Sequence, residues 1–152
     1  MKKTIIAITA IMAMISCNRS NPFFSEWDTP YGIPPFEQIQ ERDYLPAVKE
    51  GIARQQAEIQ AIIDNPEAPD FENVIAAMDR SGALLGKVIG VLFNVSESDS
   101  NDNLNKIVET AMPLISEHSS SINMNAELFA KVKAVYEADQ SGLSREQQML
   151  LK

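Results

Sequence analysis

The strongest constraint on the fold is the stretch from Asp70 to Asn94, DFENVIAAMDRSGALLGKVIGVLFN. Asp70 is a capping residue, and Phe71, Val74, Ile75, Met78, Leu85, Val88, Ile89 and Leu92 follow at helical spacing. The pattern predicts one helix over residues 70–94. Its second half is almost wholly apolar. A helix apolar on every side must be wrapped by others, so the flanking segments are expected to be its packing partners. Gly82, Gly86 and Gly90 recur every four residues. Each costs about 1 kcal/mol relative to alanine inside a helix, so the row predicts close approach of another backbone. A membrane helix packed through small residues is the rival reading; Lys87 and the short apolar run speak against it.

The flanking segments carry their own helical signals. Asp43 is expected to cap a helix that holds Pro46 in its first turn and stops at Asp64-Asn65-Pro66. Its stripe is Leu45, Val48, Ile52, Ile59 and Ile62, with Gln55 where an apolar residue belongs. After the polar break SESDSNDN (residues 96–103), Leu104, Ile107, Val108, Ala111, Ile115 and Ile122 mark a third helix. Pro113 is expected to kink or restart it. Asn123 or Asn125 opens a fourth, with Leu128, Phe129, Val132, Val135 and Tyr136 facing inward, and Ser144 with Gln147 forms a capping box for a fifth. That last helix receives only REQQMLLK, which reads as a truncated polypeptide. The expected class is all-α: antiparallel helices behind an extended N-terminal arm.

Hydrophobic content of 45% with 22% charged residues is ordinary for a globular domain. The net charge of −8 disfavours nucleic-acid binding, because such a surface repels phosphate.

The N-terminus has the anatomy of a secretory signal over residues 1–16: basic Met1-Lys2-Lys3, a short apolar run from Ile5 to Ile15, and small Ser16. The run falls short of the roughly 20 residues a bilayer span needs. Cys17 is the single cysteine, so no internal disulfide can form. Met14-Ile15-Ser16-Cys17 resembles the lipobox of bacterial lipoproteins, with Met14 where leucine is commonest. The resemblance implies acylation of Cys17, stable anchoring through several acyl chains, and a periplasmic address on a bacterial membrane. The alternative is a simple cleaved signal that leaves an unpaired thiol. Residues 17–35 then comprise the lipid-attachment site and a proline-rich arm, and residues 36–152 the helical body. Phe23, Phe24, Trp27 and Tyr31 of the arm, with Phe36 just after it, are expected to lie across the body, or else to dock a partner.

Chemistry is hard to find. His118 is the sole histidine, and Glu117-His118 is no H-E-x-x-H zinc motif. A structural histidine hydrogen-bonded to a neighbour is expected. Ser119, Ser120 and Ser121 have no nucleophile-elbow context, and the glycines from 82 to 90 have the wrong spacing for a phosphate loop. No catalytic, cofactor-binding or metal-ligating residue is assigned, and Cys17 is the one modification site expected.

Three stretches carry a family resemblance: PPFEQIQERDYLPAVKEGI (34–52), NPEAPDFENVIAAMDRSGALL (65–85) and FNVSESDSNDNL (93–104). Together with NAELFAKVKAVYE they make residues 21–152 resemble the N-terminal part of the thimet oligopeptidase family of zinc metallopeptidases, above all its bacterial peptidyl-dipeptidase and oligopeptidase A branch. The resemblance implies a large helical peptidase with a deep channel that admits short peptides, one wall of it built by these helices. It also implies a zinc held by the two histidines of H-E-x-x-H and a later glutamate. Those residues lie beyond the matched part, so no zinc ligand is carried onto this sequence. The expectation is the N-terminal segment of a lipid-anchored peptidyl-dipeptidase, inactive without its missing catalytic part. A free-standing lipid-anchored helical binding module and a non-functional remnant are the alternatives.

Overall fold

The computed structural model describes residues 19–151. Of these, 72% are helical and none lies in a strand. The class is all-α.

Helix α1 spans Glu41–Asp64. Its cap is Gln40, not Asp43, because Asp43 serves from the third helical position: its carboxylate accepts the Gln40 N–H at 2.8 Å. Pro46 therefore sits in the second turn, on the exposed face. Tyr44, Ala47, Val48, Ile59 and Ile62 are buried, and Leu45 and Ile52 half-buried.

Residues 70–94 do not form one helix. Asp70 caps as expected, accepting the Asn73 N–H at 2.7 Å, but Phe71–Ala76 is a π-helical turn followed by the short helix α2, Ala77–Arg80. The chain then breaks at Ser81 and Gly82, and α3 runs from Ala83 to Ser98. Gly82 has φ +73°, a left-handed conformation that glycine adopts without steric cost. Two side chains of α1 hold the break. Glu58 accepts the Gly82 N–H at 2.7 Å, and the Gln55 amide donates to Ser81 Oγ at 3.3 Å. A β-carbon on Gly82 would collide with the Gln55 amide. Gln55 thus interrupts the apolar stripe of α1 because the break needs a polar partner.

The glycine row does not receive a neighbouring backbone. Gly86 and Gly90 are exposed, and a β-carbon on either would meet nothing within 4 Å. Close approach occurs at Gly51 instead, whose β-carbon would lie 2.9 Å from Leu85 Cα. α3 buries Leu85, Val88, Val91 and Leu92 and leaves its other face open, so it is not wrapped on all sides.

α3 continues to Ser98, and the polar break shrinks to residues 99–101. α4 spans Asp102–Asn123; Asn101 caps it by accepting from the Asn103 and Leu104 N–H groups. It passes through Pro113 without a restart, the proline lying on the exposed face. α5 spans Ala126–Glu137 behind the Asn125 cap. Leu128 and Val135 are buried, whereas Phe129 and Tyr136, expected inside, are 64% and 58% exposed. No described element covers that side of the helix. α6, Arg145–Leu150, carries the expected Ser144–Gln147 capping box.

Two apolar clusters result. Phe23, Tyr44, Val48, Val88, Leu92, Leu104 and Ala111 join the arm to α1, α3 and α4. Ile59, Ile62, Val74, Leu128 and Val135 join the far half of α1 to the π-helical turn and α5. α1 is the common spine. α3 runs back along it, and α4 then runs parallel to it. At the starts of the two parallel helices, Glu41 accepts from the side-chain amides of Asn101, at 2.9 Å, and Asn103. These bonds hold the Glu41 carboxyl below its usual range.

The arm is docked through its first half. Asn21 caps a 3-10 turn, Pro22–Phe24, that inserts Phe23 between Trp27 and Tyr44 with ring centroids 6.1 and 5.5 Å away. Phe23 is 1% exposed. The Lys87 ammonium lies 3.9 Å from the Trp27 ring centroid and donates to Ser25 O at 2.8 Å. Arg19 pairs with Asp43 at 3.1 Å. Phe24, Tyr31 and Phe36 remain exposed.

Candidate functional site

Of the residues singled out for chemistry, His118 has the most developed surroundings. It lies on the face of α4 set by Leu104, Ile107 and Ala111, 4% exposed. Its Nε2 is 2.9 Å from Gln55 Oε1. Gln55 in turn donates to Ser81 Oγ, and that hydroxyl donates to Met78 O at 2.7 Å. The relay ties α4, α1 and the α2–α3 break together. Because the amide oxygen accepts, Nε2 carries the proton and Nδ1 is left as an acceptor. Nδ1 has no hydrogen-bond partner among the described residues. Burial lowers the His118 pKa from its ordinary value, so the ring is neutral at pH 7.

This arrangement is structural rather than catalytic. The Gln55 amide separates the histidine from the Ser81 hydroxyl, and that hydroxyl is spent on a backbone carbonyl, so His118 is not placed to activate it. Ser119, Ser120 and Ser121 are exposed, and Ser121 Oγ donates to His118 O. The donor set does not fit zinc: Nε2 of His118 is engaged by Gln55, and among the described residues no three His, Cys, Asp or Glu side chains converge. Cys17 and the signal over residues 1–16 lie outside the described residues. No helix among the described residues is long and apolar enough to cross a membrane.

The relay itself was half legible. His118 pairs with a neighbour as expected, but nothing in its local sequence names Gln55, which is 63 residues away. The one available signal was a glutamine in an apolar stripe.

No protein-family model matches the sequence. Among curated proteins, the chain is 41% identical over 127 residues to the dipeptidyl carboxypeptidase of Escherichia coli K12, covering 83% of this chain and 19% of that protein. It is 37% identical over 118 residues to the dipeptidyl carboxypeptidase of Salmonella typhimurium, covering 78% and 17%. Oligopeptidase A of Salmonella typhimurium is 21% identical over 111 residues, covering 73% and 16%. The chain thus spans less than a fifth of the length of these curated relatives. The ordered motifs, the all-helical fold and these identities agree: the chain is a homologue of the thimet oligopeptidase family and corresponds to its N-terminal part.

Proposed function

We propose that the chain is the N-terminal segment of a zinc peptidyl-dipeptidase that degrades short peptides, with these helices forming one wall of the substrate channel. The observation that carries the reading is the 41% identity over 127 residues to the dipeptidyl carboxypeptidase of Escherichia coli. Catalysis belongs to the remaining part, where the zinc would activate water for attack on the peptide bond. What these residues supply is shape. α1, α3 and α4 pack around one shared apolar cluster, giving a stiff helical wall that can restrict entry without touching the reacting atoms. The role proposed for residues 1–17 is export and acylation of Cys17, which places the enzyme on a bacterial membrane facing the periplasm.

A chimera tests the reading. Residues 21–152 replace the matching stretch of the Escherichia coli enzyme, and release of dipeptides from an oligopeptide is assayed. Retained hydrolysis supports the channel-wall role; a folded but inactive chimera contradicts it. The chain by itself should release no dipeptide, and chelator-sensitive release would overturn that. For Cys17, intact mass after expression in a bacterial host should show the acyl chains, and an unmodified thiol would sink the anchor.

A further inference from the structure

The start of α1, the end of α3 and the start of α4 enclose a cavity of about 410 Å³. We propose that it binds an organic cation, a primary ammonium or guanidinium on a short apolar stem, with Tyr44 and Asp99 receiving the charged head. The site is built from this chain's own residues and does not depend on the peptidase reading.

Tyr44 marks the cavity as a binding site. It is 4% exposed and lines the cavity, with its ring centroid 5.5 Å from that of Phe23. Its hydroxyl makes no hydrogen bond among the described residues. Among those residues, His118 Nδ1 is the one side-chain polar atom that is both unpartnered and sealed from solvent. The Tyr44 hydroxyl is therefore not sealed, and the cavity it lines is its opening; Phe36, Ile39, Val95 and Leu104 supply the apolar wall. Buried tyrosines normally hydrogen-bond through the hydroxyl, and this one can do so with a molecule in the cavity. Water could make that bond, so the surrounding charge decides the class of ligand.

The lining holds the carboxylates of Glu41 and Asp99 and no basic side chain. Glu41 is already engaged by the amides of Asn101 and Asn103. None of the ion pairs among the described residues uses Asp99. α3 ends at Ser98 with no basic residue in its last turn, so the negative end of its dipole is not offset. The positive ends of α1 and α4 are offset, by Glu41 and Asp102. Burial, followed by the charges of Glu41 and Asp43, pushes the Tyr44 pKa up. The hydroxyl thus stays protonated at pH 7 and offers its lone pairs to a cationic N–H. An anion would meet like charge here, and a neutral molecule would leave Asp99 unpaired. The apolar wall takes the stem, as it would the aliphatic part of a long basic side chain.

Three probes of similar shape test the proposal: n-pentylamine, pentan-1-ol and hexanoate, each titrated into the isotopically labelled chain and followed by NMR. n-Pentylamine should shift the amide signals of Asp99 and Asn101 and the Tyr44 Cζ signal in one saturable process. It should bind about tenfold more tightly than pentan-1-ol, the worth of one charge-assisted hydrogen bond, and hexanoate should not bind. Asp99→Asn, at an exposed position, should weaken n-pentylamine about threefold to fivefold and leave pentan-1-ol unchanged. Tyr44→Phe keeps the ring and should also weaken the amine. The tripeptide acetyl-Ala-Lys-Ala-amide separates the sources of the cation: binding as tight as n-pentylamine or tighter assigns a peptide side chain, and weaker binding a free amine. Equal binding of n-pentylamine and pentan-1-ol overturns the proposal, because the cavity is then an apolar cleft only. So do shifts that never saturate, or amine binding unaltered in either variant.

Discussion

Gly51 of α1 and Leu85 of α3 meet backbone to backbone: a β-carbon on Gly51 would lie 2.9 Å from Leu85 Cα and 3.0 Å from its nitrogen. A backbone cannot turn aside as a side chain can. Gly51→Ala must therefore push α1 and α3 apart where Val48 and Val88 are fully buried. Overpacking of this kind costs about 1–3 kcal/mol, against about 1 kcal/mol of helix propensity that alanine recovers, so with a backbone as the obstacle the net effect is destabilising. Gly90→Ala has no such neighbour and should gain up to about 1 kcal/mol. Urea unfolding of the two variants should give midpoints on opposite sides of the parent, and a shared direction would refute the contrast.

Gly82→Ala is expected to destabilise for a different reason. A left-handed residue with a β-carbon costs about 1–2 kcal/mol, and here that carbon also displaces the Gln55 amide from Ser81 and His118. Thermal melting followed by circular dichroism should fall by several degrees. An unchanged melt would mean that the α2–α3 break tolerates other backbone conformations.

Stability should depend on pH through His118. Burial lowers the folded pKa, so the unfolded chain takes up the proton first. The contribution is complete above the ordinary histidine value of about 6.5 and is lost as pH falls through that value toward the folded one. Between pH 7.5 and 5 the parent should lose more unfolding free energy than His118→Gln, which cannot titrate. Parallel curves for the two proteins would remove His118 as the source.

Two substitutions probe the arm. Phe23→Ala empties a position that is 1% exposed and should cost about 3–5 kcal/mol, as for a residue in the centre of a core. Lys87→Met keeps the aliphatic stem but loses the cation over Trp27, a contact of about 0.5–2 kcal/mol. Trp27 is the only tryptophan, so its emission reports the arm directly and should shift to the red in both variants. Emission identical to the parent in Lys87→Met would show that the Lys87 cation does not help to hold the arm.

Several helix caps were written in short range and were readable, although at α1 the Gln40–Asp43 pair was read as a cap by Asp43. Asp70, Asn125 and the Ser144–Gln147 pair act through neighbours two or three residues away. What escaped the sequence depends on distant partners. The periodicity of residues 70–94 runs unbroken across Ser81-Gly82, and only Gln55 and Glu58, a full segment earlier, explain why the helix stops. The glycine spacing was visible, but whether a backbone lies on Gly86 or on Gly51 is a matter of which helix faces which. Phe129 and Tyr136 have the spacing of buried residues, and spacing cannot say whether a cover exists. The same holds for His118, whose burial followed from its place on α4 while its partner did not.

The parallel pair α1 and α4 is bridged twice along its length, by Glu41 to Asn101 and Asn103 and again by Gln55 to His118. Fourteen residues separate the bridging positions on α1, a span of about 21 Å at 1.5 Å per residue. Two rivets that far apart remove sliding as a degree of freedom. A shift of one helical turn, about 5.4 Å, would break both polar bridges together, so the pair can tilt only by bending and cannot creep. In the channel proposed above, any opening must then come from movement of these helices as one body, hinged beyond α1 and α4.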